Sequence, residues 1–397
     1  MTDTILVLNA GSSSLKFAMY PAAANDGKPL VTGKISGIRR APSLKALDSR
    51  QQKLPKGDLA EIDASASHDE LTVRLLNWVD ANIQGSVLVG VGHRVVHGGR
   101  HFTSPVRVDE RVINELTALN SLAPLHQPHN LAAITVVQER APALPQVACF
   151  DTSFHRTQAP LARLFAIPRE LSDEGVIRYG FHGLSYDYIT SVLPQHLGDK
   201  ANGRTIVAHL GNGASLCAIK EKKSVATSMG FTALDGLMMG RRCGTLDAGV
   251  VLYLLKNNEM TPEEVEHLLY NKSGLLGVSG ISNNMKDLEE STDPKAKKAI
   301  DLYCFKAASE IGKLLPAMGG LDSIVFTAGI GENSALIRRN ICRYFDWLGI
   351  DIDETANKAN ALKISSPIST INVLVIPTDE ETVIADATRR ILNNYDA

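Results

Sequence analysis

No stretch of this chain reaches the ~18 uninterrupted apolar residues that a membrane-spanning helix needs. Charge of one sign is also lacking: 41 Lys and Arg stand against 43 Asp and Glu, a formal net charge of −2. So balanced a surface has no general affinity for nucleic acid or for a membrane, and any grip on phosphate has to be local. Cysteine is sparse: five in 397 residues, odd in number, scattered and without a CxxC pair. That excludes a disulfide framework and a cysteine zinc site, and fits a reducing cytoplasm. The opening residues, MTDTILVLNAG, have no basic region and run straight into an apolar strand, so no signal peptide is expected. Neither GxxxxGK[ST] nor HExxH occurs, which sets aside P-loop and zincin chemistry.

What the chain does have is a repeat. Thr4 to Tyr20 reads TILVLNAGSSSLKFAMY, two apolar runs around a tight polar centre, Ser12-Ser13-Ser14 included, with Lys16 just beyond. Such runs, bounded by Gly and small polar residues, predict strands joined by a turn. About half a chain later, Thr205 to Lys220 reads TIVAHLGNGASLCAIK, and Ile5/Ile206, Ser14/Ser215 and Leu15/Leu216 keep the spacing of Thr4/Thr205. Glycine lets backbone approach a ligand, and N–H groups, hydroxyls and an ammonium suit a polyanion. A solvated turn is the plain alternative for either hairpin alone. Together they imply two similar halves, and a cleft between such halves would hold a nucleotide from both sides.

Length points to two domains, and 44% hydrophobic with 21% charged residues describes an ordinary globular protein with ample core. In the first half we expect a third strand over Val31–Ile38, a polar excursion over Arg39–Ser67, a helix over His68–Ile83 and a buried strand from Ser86 to Gly99. Helices over Val108–Leu122 and Asn130–Glu139 precede a short strand, Val147–Phe150, that delivers Asp151, and a helix follows Tyr179–Ser185. In the second half, Ser228–Gly249 is a glycine-rich loop, and helices follow over Val250–Lys256 and Thr261–Tyr270, with Thr261 as N-cap and Pro262 at the first helical position. A long amphipathic helix runs from Pro294 to Leu315. Ser323–Ser334 reads as strand, glycine loop and helix start, and Ala335–Tyr344 as helix. Asn372–Thr378 is the last strand and Glu381–Asn393 the last helix. Strands then helices, twice over, give an α/β duplicated fold.

Several residues invite chemistry. Arg94 ends a buried strand, where a guanidinium meets either a bound carboxylate or phosphate or an internal ion pair. Arg241 and Arg242 lie in the glycine-rich loop, where a solvated basic turn accounts for at least one. His93, His97 and His101 have helical metal-site spacing, but Gly98-Gly99 breaks any helix, so they read as core or turn histidines. His126 and His129 lack a zincin's glutamate. His182, between Gly180 and Gly183, suits a positioned donor, and Met238-Met239 reads as core. Asp151 at a strand end and Glu380-Glu381 at a helix start suit Mg2+, which takes one or two protein oxygens plus water; complementing the helix dipole is the alternative for the glutamates. Gly329-Ile330-Gly331-Glu332-Asn333 is a GxG turn at a helix start, favourable to an anion, and is not GxGxxG.

NAGSSSLK, GHRVVHGG, APLHQP, DTSFH, YGFHG, HLGNGAS, FTALDGLMMG, GIGEN and PTDEE occur in this order from residue 9 to residue 381. In these motifs the chain resembles the acetate kinase family, of the superfamily that also holds sugar kinases, heat-shock chaperone ATPases and actin. The resemblance implies a duplicated actin-like ATPase (ribonuclease H-like) α/β core, two domains with an interdomain cleft, and a homodimer in the cytoplasm. It implies an N-terminal acyl-substrate and phosphate domain over 1–150, completed by the C-terminal helix 384–397, and a nucleotide-binding domain over 151–383. The activity implied is transfer of the ATP γ-phosphoryl to acetate or another short carboxylate, with Mg2+, or Mn2+ in its place. Motif by motif, Asn9 and Glu380 match the metal positions, and Arg94 the carboxylate-binding arginine. Val96, Leu125 and Phe181 match the apolar acyl pocket. Asp151 matches the catalytic aspartate, and His182 and Arg242 the transition-state stabilisers. Lys16, the loop His209-Leu210-Gly211-Asn212-Gly213, Asn284-Met285-Lys286 and the 329–333 loop match ATP-binding positions.

Three stretches depart from the family pattern. GRRCGTLDA replaces the common GTRSGDLDP around Arg242, and Asn284-Met285-Lys286 replaces an Asp-x-Arg near the adenosine, losing charge and the guanidinium plane. Ala233 replaces the pocket proline of FTPLEG, and a smaller wall admits a longer acid. A propionate or butyrate kinase with the same chemistry therefore stays open, as does a non-metabolic actin-like ATPase. A sugar kinase would need polar pocket side chains where Val96, Leu125 and Phe181 stand, and the chain's end just past its last helix leaves no expected peptide-binding domain.

Overall fold

The computed structural model describes residues 2–11, 14–23, 27–38, 41–82, 85–124 and 126–395. Ser12, Ser13 and Leu125 lie outside them. The chain divides into two units, Met1–Phe154 with Asp379–Ala397, and His155–Thr378. Asp151 and Glu380 thus belong to the first unit. No helix among the described residues is long and apolar enough to cross a membrane.

In the first unit a seven-stranded sheet is built from β1 (Thr2–Gly11), β2 (Ser14–Pro21), β3 (Val31–Ser36), β4 (Ser43–Asp48), β5 (Ser86–Val95), β6 (Val106–Arg107) and β7 (Gln146–Phe150), in the order β4-β3-β2-β1-β5-β7-β6. In the second, β8 (Thr205–Leu210), β9 (Ala214–Lys220), β10 (Lys223–Thr227), β11 (Ser323–Thr327) and β12 (Asn372–Val375) are ordered β10-β9-β8-β11-β12. The duplication is explicit in these orders. Each unit's first strand pairs antiparallel with the second and parallel with the strand that follows the first crossover, β1 with β5 and β8 with β11. The repeated hairpins close at Gly11↔Ser14 and Leu210↔Ala214.

The central parallel strands read as unbroken apolar runs because helices cover both faces. Leu6, Leu8, Phe17 and Met19 pack with Leu71, Leu75 and Trp78 of the helix His68–Asn82. On the opposite face, the last helix, Glu380–Tyr395, presses against β5 so closely that a Cβ on Gly92 would lie 2.4 Å from Thr388 Oγ1 and 2.6 Å from Ile384 Cγ2.

Four differences from the sequence reading have local causes. The polar segment after Ile38 contains β4, where Leu44 and Ala46 are buried between exposed Ser43 and Lys45: a half-buried edge strand is too short to announce itself. The helix expected over Val108–Leu122 stops at Thr117 after starting at Glu110, with Asp109 as N-cap accepting from Val112 N at 2.7 Å. The helix expected from Asn130 begins at Gln127, because Pro128 fits a first helical turn. The turn expected at 329–333 is already helical over Ala328–Asn333, directly after β11. Thr261 is the N-cap its sequence position predicted, and it also forms a full capping box with Glu264.

Gly92→Val should force the last helix away from β5 and cost about 1–3 kcal/mol by overpacking. Urea unfolding measures it; an unchanged midpoint would mean that the close approach is not a constraint.

Candidate active site

In the first unit, β1, β5 and β7 deliver Asn9, Arg94 and Asp151 near their C-terminal ends, and the start of the last helix supplies two glutamates. Arg94 Nη2 donates to Asp151 Oδ2 at 2.7 Å, Nε reaches both Asp151 oxygens at 3.2 Å, and Nη1 donates to Asn9 Oδ1 at 3.2 Å. Asn9 Nδ2 in turn donates to Glu380 Oε2 at 3.2 Å and Glu381 Oε1 at 3.0 Å. Lys16 Nζ lies 3.9 Å from Glu381 Oε1, half exposed. Burial works against the Arg94 charge, but Asp151, Glu380 and Glu381 together outweigh it and raise its pKa. Burial raises the Glu381 pKa, Glu380 adding to the effect and Lys16 and Asn9 opposing it. Arg94 is therefore both the ion-paired residue and a guanidinium at strand ends.

The GHRVVHGG segment is held by amides. Val96 N donates to Asn130 Oδ1 at 2.9 Å, and Asn130 Nδ2 donates to Ala10 O at 2.6 Å, tying the loop after β5 to β1. Gln127 exchanges two hydrogen bonds with the His97 backbone. Val96 is buried. Sequence reasoning passed over Asn130 and Gln127, whose signal was an amide among the buried apolar residues of one helix. Glu381, read from the sequence together with Glu380 as a magnesium support, joins the Arg94 network through Asn9. His93 and His97 are buried and His101 is exposed, and His129 stacks on His68 with ring centroids 4.1 Å apart. No group of three or more His, Cys, Asp or Glu among the described residues is arranged to hold a metal ion.

In the second unit, His182 has a left-handed backbone, φ 56°, as the residue preceding the helix Gly183–Leu197. A non-glycine residue held there marks a conformation fixed by its surroundings. Its Nδ1 lies 2.8 Å from Ser215 Oγ, and its ring stacks on His209 at 4.2 Å and 14°. His209 Nδ1 is held by Ser185 Oγ at 2.8 Å. Tyr186 OH shares Ser215 Oγ. A Cβ on Gly213 would lie 3.5 Å from His182 Nε2 and 4.0 Å from Arg242 Nη1, so His182, Arg242 and the glycine turn meet at one place. Arg242 Nη1 donates to Ala233 O at 2.9 Å. Phe181 is buried, and its carbonyl meets His155 Nε2 at 2.9 Å. Met238 and Met239 are core.

A cavity of about 620 Å³ in this unit is lined by Gly211, Asn212, Asn284, Met285, Lys286, Gly329, Ile330 and Asn333, with Glu289, Glu290 and Ser334. Three segments far apart in sequence thus share one wall of nucleotide size. Leu210, Gly213, Gly331, Glu332 and His209 do not line it. Leu210 is buried in β8. Glu332 Oε1 instead accepts from Ala328 N at 2.7 Å and Thr378 N at 3.2 Å, fixing the turn after β11. Asn283 Nδ2 holds Asn212 Oδ1 at 3.1 Å, a support the sequence did not flag.

Duplicated sheets, each opening on a hairpin with ligand-suited groups beside its turn, define a two-domain actin-like ATPase-type fold. The model of the Acetokinase family matches residues 4–386, and the chain belongs to that family. An acetate kinase of Rhodopseudomonas palustris is 50% identical over 395 residues, covering 97% of each chain. A propionate kinase structure from Francisella tularensis has a TM-score of 0.90 at 36% identity, covering 98% of this chain and 100% of that one. The Porphyromonas gingivalis acetate kinase structure has a TM-score of 0.85 at 34% identity, with the same coverage.

Burial holds His93, His97 and His155 at about 4, below the ~6.5 of a free histidine. A depressed histidine favours folding while neutral, so its contribution is complete above pH ~6.5 and is lost as pH falls from there toward about 4, up to ~3 kcal/mol each. Urea unfolding should therefore show lower stability at pH 5 than at pH 7; a flat profile would contradict the burial.

Proposed function

We propose that the chain is a reversible phosphotransferase that moves the ATP γ-phosphoryl to acetate, giving acetyl phosphate and ADP. The observation that carries this is the family match over residues 4–386. Acetate is ionised at neutral pH, its carboxyl pKa being near ~4–5 by analogy with Glu, so the forward reaction needs no general base. The chemistry then rests on positioning and on charge stabilisation. Asp151 spends both oxygens on Arg94, which suits an orienting role: it aims the guanidinium that holds the acid's carboxylate. Val96, Leu125 and Phe181 stand by motif at the family's positions for the acyl methyl. His182 and Arg242 take the charge that spreads over the equatorial oxygens in the transition state, the 620 Å³ cavity of the second unit holds ATP, and Lys16 stands at a family ATP-binding position by motif.

Asn9 and Glu380 would hold Mg2+. Their side chains meet at 3.2 Å and both carry hard oxygen donors of the kind this ion takes one or two of. Mg2+, or Mn2+ in its place, neutralises charge on the phosphates when bound. The working unit is a homodimer in the cytoplasm: the helix Ala248–Asn257 has no buried residue and exposes Leu252 and Tyr253, which suits a second copy.

ADP formation from MgATP should depend on added acid across formate to butyrate, with an acyl phosphate trapped by hydroxylamine. ATP turnover indifferent to acid would remove this reading in favour of a non-metabolic ATPase. Arg242→Ala should lower kcat ~10³-fold while ATP affinity changes little; equal loss of both would make Arg242 a nucleotide-holding residue.

Propionate is favoured as a second substrate by Ala233 at the family's proline position, and the Francisella structure is named as a propionate kinase. Ala233→Pro should lower the ratio of kcat/KM for propionate to that for acetate by about tenfold, the worth of one methylene in a pocket. An unchanged ratio would show that Ala233 does not set acid length.

A further inference from the structure

A larger cavity, of about 810 Å³, adjoins the nucleotide-sized one in the second unit; Glu289 lines both. Buried Leu288, Ile300 and Cys304 and half-buried Leu336 give it an apolar lining, and Lys297, Arg339 and Arg343 give it cations. Its acids are engaged. Asp301 pairs with Lys297 at 2.6 Å, Asp293 accepts from Lys295 N at 2.8 Å, and Glu289 accepts from Ser334 Oγ.

The two arginines are not so engaged. Arg339 Nε is buried with no hydrogen-bond partner among the described residues, and its ion pair with Glu354 is long, 3.9 Å. The exposed Arg343 bonds through its backbone N–H to Arg339 O, but its side chain makes neither a hydrogen bond nor an ion pair among the described residues. Spaced four apart, they repel each other unless an anion lies between them. A cation at a helix C-terminus answers the dipole, which accounts for where Arg343 stands but not for the buried, unmatched Nε of Arg339. Both arginines also line an adjoining space of about 460 Å³, so they stand at a junction open to a ligand.

We propose that the 810 Å³ cavity binds a phosphate monoester with an apolar body, its dianion held by Arg339 and Arg343 and its body by Leu288, Ile300 and Leu336. Two planar guanidiniums match a dianion better than a single carboxylate, and the apolar lining excludes free phosphate as the best occupant. Occupancy reaches the nucleotide cavity through one contact. Ser334 hydroxyl, bonded to Glu289, also caps the helix Ala335–Cys342 that carries Arg339, accepting from Ile337 N at 3.1 Å. The coupling rests on the nucleotide reading of the smaller cavity; the binding does not.

The probe is phenyl phosphate, titrated calorimetrically into the full chain, with inorganic phosphate in a parallel arm. Phenyl phosphate should bind, inorganic phosphate more weakly, and Arg343→Ala should weaken phenyl phosphate ~10-fold or more while leaving acid-dependent turnover intact. Arg339→Gln should do the same; if it misfolds, the exposed Arg343 still decides. Absent heat, or equal binding by Arg343→Ala, would overturn the site, as would heat abolished by Arg242→Ala instead. Equal affinity for inorganic phosphate would overturn the apolar body. Phenyl phosphate should also shift MgADP affinity by ~5-fold or more, and an unshifted affinity with binding intact would overturn the coupling alone.

Discussion

A guanidinium drawn into a protein interior must be met by carboxylate, and in the first unit that demand orders everything around Arg94. Asp151 takes it in a forked pairing, and Asn9 links it onward to Glu380 and Glu381. The sheet makes this cheap to arrange. β1, β5 and β7 are parallel neighbours, so their C-terminal ends lie along one edge, where open α/β sheets place their ligands. The last helix then brings its acidic first turn to the same edge. With Asp151 committed to it, the Arg94 guanidinium is held in one orientation. Preorganisation of this kind suits the phosphoryl transfer proposed above, to an acceptor that is already ionised.

The second unit reuses the topology for another task. Its first hairpin closes on glycines rather than serines, and His182, His209 and Arg242 crowd around that turn. The stacked histidines are each pinned by a serine, and the left-handed backbone at His182 lets the helix begin immediately after the ring. Loops after β8 and β11 and the segment at 284–286 wall one cavity, while Glu332 ties the β11 turn to Thr378. Neutral, buried His155 supports Phe181 from behind through the backbone carbonyl.

Much of this was legible in order along the chain. The paired hairpins announced the duplication, because strand-turn-strand signals are local and the repeat is plain. Arg94, Asp151 and His182 stood out because a charged or titratable residue at the end of an apolar run or between glycines has few structural excuses. β4 escaped because an edge strand six residues long with one buried face resembles a polar loop. Glu332 was read with the anion-binding turn, yet its carboxylate serves the backbone, a distinction that depends on where Thr378 comes to lie.

The sequence by itself determined the two-fold α/β plan, the family, and the residue types available for phosphate and carboxylate, since periodicity, turn chemistry and motif order are properties of neighbours in the chain. Only tertiary structure decided the pairings. Arg94 is matched by Asp151 fifty-seven positions away and Asn9 by Glu380 three hundred and seventy-one away, and the buried Nε of Arg339 is left unmatched among the described residues. Such distances in sequence carry no local signal. What joins these side chains is the parallel alignment of strand ends and the return of the last helix, and those exist only once the chain has folded.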